Sequence, residues 1–177
     1  MGLLSGVDFS KCKQRFVIHA HDAKRAGKHY DLRLEAYDSV SESCVLVSWA
    51  SRKLNQLLSE QARRIGIFRT ENHELKWLRF EGEIPEGYGA GYVRIVDRGT
   101  FEVVEEKQGV LVVKFLGEKV KGSYAIVRLS RDSFLLVKMR AQKEFNMAAG
   151  IYPYACLLCS PKRMIRRIGK KRRRFEE

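Results

Sequence analysis

His21-Asp22-Ala23-Lys24-Arg25-Ala26-Gly27-Lys28, followed by His29-Tyr30-Asp31-Leu32-Arg33-Leu34-Glu35, is the stretch on which the rest of the chain turns. Its second half alternates with a period of two, which predicts a β-strand with two chemically different faces. Tyr30, Leu32 and Leu34 form an apolar face suited to a core, while His29, Asp31, Arg33 and Glu35 line up on the other side. Neutral imidazole and carboxylate bind divalent cations, and a guanidinium forks onto phosphate oxygens, so this row suits a metal-phosphate site. His21, at the end of its own strand, would add a ligand across a short connection. On these residues alone, a polar strand face with a hydrogen-bonded histidine is an equally good reading.

Outward from this stretch, the pattern stays mainly β. Arg15 to His21 is a strand with Phe16 and Ile18 on one face and Val17, His19 and His21 on the other, which puts His19 near the polar row. Cys44 to Ala50 is an apolar strand that pairs with its predecessor as a hairpin. Leu54, Leu57, Leu58 and Ala62 recur at spacings of three and four, predicting a helix over Lys53 to Gly66. Ile65 to Thr70 then reads as a strand delivering Glu71-Asn72-His73. Phe80 to Gly91 is glycine-rich without the Gly-Lys-Ser/Thr ending of a nucleotide P-loop, so its glycines read as backbone turns. Tyr92 to Val96, Thr100 to Glu105, Val110 to Leu116, Ser123 to Leu129 and Phe134 to Met139 are five further strands, the first two separated by Asp97-Arg98-Gly99. Short strands at this spacing imply an antiparallel barrel or sandwich.

The chain has 177 residues and a net charge of +13, with 45% hydrophobic residues, enough for a real core. Lys162, Arg163, Arg166, Arg167, Lys170, Lys171, Arg172, Arg173 and Arg174 crowd one terminal run, which with Glu176 and Glu177 carries +7 and leaves +6 for the rest. Both parts are basic, as expected of a protein that meets polyanions, and the run is a candidate nucleic-acid contact. We expect two segments, a domain over residues 1–142 and a basic extension over 143–177. Met1 to Gly6 resembles no secretory signal, and no apolar stretch reaches the roughly 20 residues of a membrane span. The expected location is therefore cytoplasmic, near the nucleoid, with no membrane partner and a monomeric state. Cys12, Cys44, Cys156 and Cys159 are too sparse for a disulfide framework, so reduced thiols are expected. Cys156 and Cys159 have zinc-knuckle spacing but no second pair, which argues against a structural zinc.

Several blocks together resemble the 3′-phosphoesterase domain of bacterial DNA ligase D and its stand-alone relatives. They are His21-Asp22-Ala23, His29 to Glu35, Ser48-Trp49-Ala50, Phe80 to Gly87 with Tyr88-Gly89-Ala90-Gly91, and Asp97-Arg98-Gly99-Thr100, in the family's order over about residues 15 to 140. The resemblance implies a compact antiparallel β-barrel of about eight strands with one or two short peripheral helices. It implies a metal-dependent enzyme, preferring Mn2+, that trims DNA or RNA-tipped DNA 3′ ends, removing a terminal ribonucleoside and then the 3′-phosphate to leave a 3′-hydroxyl. By motif, His21, His29 and Asp31 would be the metal ligands. Arg33 would hold the phosphate, His73 would be a further active-site histidine, and Lys53 and Arg64 fall near basic positions of the family's site. His73 would either donate to phosphate or protonate the leaving 3′ oxygen.

The match has departures. The turn between His21 and His29 is two residues longer than usual, and the glycine hairpin lacks one residue between Gly87 and Tyr88. Trp77 stands where the family has a tyrosine, and the polar N-terminal arm is largely absent. The last two features predict that phosphate removal is the more robust of the two reactions. The chain has no Lys-x-Asp-Gly adenylation motif, so a separate ligase or polymerase is expected to act in trans. Two rivals remain: a non-catalytic nucleic-acid-binding barrel, and a phosphatase of small esters, which would leave the basic run unexplained.

Overall fold

The computed structural model describes residues 2–59 and 62–139. Its strands are β1 (Val7–Asp8), β2 (Arg15–Ala23), β3 (Gly27–Asp38), β4 (Ser43–Ser51), β5 (Arg64–Arg69), β6 (Gly82–Ile84), β7 (Gly91–Lys107), β8 (Val110–Gly117), β9 (Lys121–Arg128) and β10 (Ser133–Lys138). Among the described residues the helical elements are α1 (Leu54–Leu58) and a 3-10 turn (Leu75–Leu78). None is long and apolar enough to cross a membrane.

Strands β2 to β5 form one up-and-down meander and β7 to β10 a second. The two are sewn together antiparallel along β2–β7 and β5–β10, which closes a barrel of eight strands. The expected architecture is thus the observed one. Among the described residues, closure leaves only the short strands β1 and β6 as additions to it, on β3 and β7. Every barrel strand sends alternate residues into one core, among them Phe16, Ile18, Leu32, Leu34, Trp49, Ile67, Phe101, Phe115, Tyr124 and Phe134. Each such side chain contributes roughly 1.5–3 kcal/mol on burial. Leu3 and Phe9 join this core from the N-terminal arm, with Phe9 stacked on Trp49 at 6.4 Å between ring centroids. The opposite parity of β2 and β4 builds a smaller apolar cluster on the barrel's outer side, where Val17 and Leu46 meet Leu78 of the 3-10 turn, with Trp77 and Ile95 against them. That patch anchors the cover over the site.

Three expectations need correction. The helix over Lys53 to Gly66 shrinks to Leu54–Leu58, because Gly66 lies inside β5 between the buried Ile65 and Ile67. Ladder pairing with β10 outweighs the helical spacing there. Asp97-Arg98-Gly99 is no turn but the interior of the single strand β7. The Asp97 carboxylate is buried and accepts backbone N–H bonds from Arg98, Glu118, Lys119 and Val120, so it organises the β8–β9 turn. Gly99 is required beside it, since a Cβ there would come within 2.3 Å of the Leu116 carbonyl. Finally, Cys12 and Cys44 are not reduced: they form a disulfide, their Cα atoms 6.2 Å apart. A spacing of 32 residues conceals that the N-terminal arm lies against the start of β4. Cys156 and Cys159 lie outside the described residues.

Candidate active site on the outer face of the barrel

The β2–β3 hairpin pairs His21 with His29 and His19 with Asp31, so directly opposed residues share the outer face. His21, Asp31 and Arg33 are buried and His29 is half-buried. His21 Nε2 lies 2.9 Å from the Gly89 carbonyl, and His29 Nδ1 lies 2.9 Å from the Gly27 carbonyl. A carbonyl only accepts, so each of these nitrogens carries its ring's proton. His21 Nδ1 and His29 Nε2 are then bare lone pairs, each 3.6 Å from a different oxygen of Asp31. With one proton per ring, three acceptors converge within 4.8 Å with no hydrogen between them. The separations are too long for hydrogen bonds and suit ligands gathered around one cation. These residues fit a divalent metal, and the two carbonyls supply the outer support that orients histidine ligands. Gly91 makes the Gly89 contact possible, because a Cβ at its φ of +150° would fall 2.2 Å from the Asp22 carbonyl.

Burial pushes the Asp31 carboxyl up, but the charge of Arg33 pulls the other way, and the group is held below the usual carboxylate range. Arg33 lies beneath the triad, with Nη2 donating to Asp31 Oδ2 at 3.1 Å and Nη1 donating to His19 Nδ1. Its carbon Cζ sits 5.0 Å from the centre of the Trp77 ring, and its Nε is buried with no acceptor among the described residues. The indole face offsets part of that desolvation. Glu35, the last residue of the polar row, is not part of this group; it is clamped by Arg15 through two bonds of 2.7 Å.

His73 reaches the site from the other side. Two backbone bonds to Leu46 pin it to β4 as an isolated bridge. Its Nδ1 sits 3.0 Å from both the Glu71 carbonyl and Ser48 Oγ, while the Ser48 hydroxyl donates to Leu46. Nδ1 thus carries the proton, which leaves Nε2 for other chemistry. Burial, and then the charge of Arg33, push His73 below the ordinary imidazole range. Trp77 stands edge-on to His73, at 5.6 Å, and to Phe80, at 4.7 Å.

Residues 19–128, which carry every member of this arrangement, match the family described as the DNA Ligase D 3′-phosphoesterase domain. The chain belongs to the DNA ligase D 3′-phosphoesterase family. Relatives include the multifunctional non-homologous end joining DNA repair protein LigD of Mycobacterium tuberculosis, 38% identical over 134 residues that cover 73% of this chain and 16% of that protein. The LigD proteins of Mycolicibacterium smegmatis and Pseudomonas aeruginosa are 36% and 33% identical over 73% and 71% of this chain. The chain therefore spans only 15–17% of the length of these relatives.

In this family member the motif residues fall into two groups. His21, His29 and Asp31 face one another, Arg33 joins them through Asp31, and His73 stands beside them through Trp77 and the field of Arg33. Lys53 and Arg64 are exposed, just after β4 and at the start of β5, and make no hydrogen bond to that group. The basic run from Lys162 to Arg174 lies outside the described residues. His19 has a larger part than its sequence position suggests: it is fully buried, its Nε2–H donates to the Phe80 carbonyl at 3.1 Å, and its Nδ1 holds Arg33. Its parity beside His21 was the available signal. The partner, 61 residues away, left no trace in the sequence.

Burial and the neighbouring Arg33 push His19 down to about 4, from 6.5. The unfolded chain binds the extra proton between those values, so this histidine stabilises the fold fully above pH 6.5 and loses that contribution as pH falls towards 4. The loss amounts to ~3 kcal/mol. His19→Gln keeps an acceptor for Arg33 and a donor for Phe80 but does not titrate. Denaturant unfolding in chelator at pH 7 and pH 4.5 should show the wild type losing about 2–3 kcal/mol more than the variant. Equal losses would contradict a neutral buried His19.

Proposed function

We propose that this chain is a metal-dependent phosphoesterase that heals the 3′ ends of DNA, removing a 3′-phosphate and, less efficiently, a terminal ribonucleoside. The observation that carries this reading is the convergence of two histidines, their tautomers set by backbone carbonyls, with the Asp31 carboxylate above the buried cation of Arg33. Membership of a 3′-phosphoesterase family supplies the reaction class. His21, His29 and Asp31 would hold the ion, for which Mn2+ is our choice. When bound, it would neutralise phosphate oxygens and lower the pKa of water.

The remaining work falls to the chain's own groups. Arg33 lays positive charge under the reacting phosphorus, where burial makes it effective. Each of its terminal nitrogens keeps a second N–H beyond the bonds to His19 and Asp31. Hydrolysis adds water to phosphorus and breaks the bond to the 3′ oxygen, which leaves with a proton. His73 Nε2 is the ring atom available to carry a proton at that point. Trp77 fills the roof over Arg33 with an indole and offers no hydroxyl to the substrate. That difference favours monoester over diester cleavage. Exposed Lys53 and Arg64, and the basic run beyond, would meet the nucleic-acid backbone.

The test is an end-labelled oligonucleotide bearing a 3′-phosphate, incubated with manganese or with chelator. The expected result is a 3′-hydroxyl product with manganese alone, and slower removal of a 3′ ribonucleoside from a matched substrate. Binding without product under either condition would favour the non-catalytic barrel. Equal rates on a small phosphate ester would favour a general phosphatase.

A further inference from the structure

Next to the triad, the outer face of β4 and β5 is low and open. Asp31 pairs with Ala50 across β3–β4, and Ala50 pairs with Phe68 across β4–β5, so the three share one row and one face. Adjacent strands lie about 4.8 Å apart, which puts the Phe68 backbone roughly 10 Å from that of Asp31. Ala50 is the only side chain between them in the row, and it is small. Gly66, on the same face of β5, has no heavy atom of the described residues within 4 Å of where a Cβ would stand. Phe68 rises at the end of this floor with 58% of its surface exposed, on a strand whose inward residues Ile65 and Ile67 are fully used by the core. Exposed Arg64, two residues beyond Gly66 on the same face, and exposed Arg52 border it with positive charge.

We propose that this floor is a nucleoside subsite, in which the Phe68 ring stacks on the base of the nucleotide that carries the 3′ end while its phosphate lies at the triad. The inference rests on the phosphoesterase reading for the position of the phosphate. A flat exposed ring beside open backbone, edged by cations, fits a nucleobase next to a polyanionic chain. An ordinary solvated strand face would not need a bare aromatic there. Stacking is indifferent to base identity, so the subsite recognises the presence of a base rather than its sequence.

Binding can be read without turnover, by fluorescence anisotropy of labelled 3′-hydroxyl oligonucleotides in chelator. The wild type should bind an oligonucleotide ending in a purine nucleotide about 5- to 100-fold tighter than the same strand ending in an abasic residue. Phe68→Ala should bind both strands alike, at the weaker level, and Phe68→Trp should keep the preference. Thermal unfolding should be near wild type for both variants, because the ring is exposed. A wild type blind to the terminal base, or a Phe68→Ala variant that keeps the wild-type preference, would overturn the subsite. If the phosphoesterase reading alone fails, no product forms with manganese while the Phe68-dependent preference persists, so the two failures are separable.

Discussion

Asp31→Asn should lower kcat/KM for release of a 3′-phosphate by about a thousandfold or more, corresponding to the ~4 kcal/mol or more that a bound ion contributes to charge stabilisation. The carboxylate is the anionic member of the triad, and each of its oxygens faces one imidazole at 3.6 Å. An amide keeps the shape and an oxygen to accept from Arg33, but it turns one oxygen into a donor and removes the charge that the ion requires. The fold should survive at a cost of about 3–5 kcal/mol, since the amide keeps an acceptor for Arg33 but leaves that buried cation without its counter-charge. Phosphate release and denaturant unfolding, measured side by side, check both parts. A variant with more than a tenth of wild-type activity would remove Asp31 from the site.

Arg33→Met should have the largest combined effect on stability and activity. The guanidinium contacts Asp31, His19 and the Trp77 face, and only 3% of its surface is exposed. Removing one partner of a buried ion pair typically costs 3–5 kcal/mol, because the other charge stays buried and uncompensated. Methionine fills much of the volume, so the loss reports charge and hydrogen bonding more than a cavity. Activity should fall by about 100- to 1,000-fold, as for other positioned donors at developing charge. Arg33→Lys should recover part of the stability but little of the rate, since a single ammonium cannot fork to His19 and Asp31 together. Unfolding within about 1 kcal/mol of wild type for Arg33→Met would show that the pair is not the support described here.

The alternation from His29 to Glu35 makes the shared face of His29, Asp31 and Arg33 legible in the sequence, because a strand's side-chain period is independent of what it pairs with. The hairpin then has to bring His21 opposite His29, and the register does so. What stays hidden depends on long-range pairing. The bonds from Gly89 to His21 and from Phe80 to His19 span 68 and 61 residues. Asp97 reads as a turn residue because aspartate, arginine and glycine favour turns, yet its carboxylate serves a different turn, between Gly117 and Lys121. The helical spacing of Leu54, Leu57 and Leu58 is real but local. Beyond it, Ile65 and Ile67 are claimed by barrel closure, which no window of sequence contains. Trp77 is visible in the sequence as a missing hydroxyl, whereas its place over Arg33 emerges only from the packing of the 3-10 turn on Val17 and Leu46.

We propose that His21, His29 and Asp31 form one metal site on the barrel's outer face. Its most direct test is electron paramagnetic resonance of Mn2+ titrated into the full chain, with electron spin-echo modulation to count coupled nitrogens. One tightly bound ion per chain is expected, coupled to two imidazole nitrogens, with one nitrogen remaining in His21→Ala and tight binding lost in Asp31→Asn. A tightly bound ion without nitrogen coupling, or no tight site in the wild type, would contradict it.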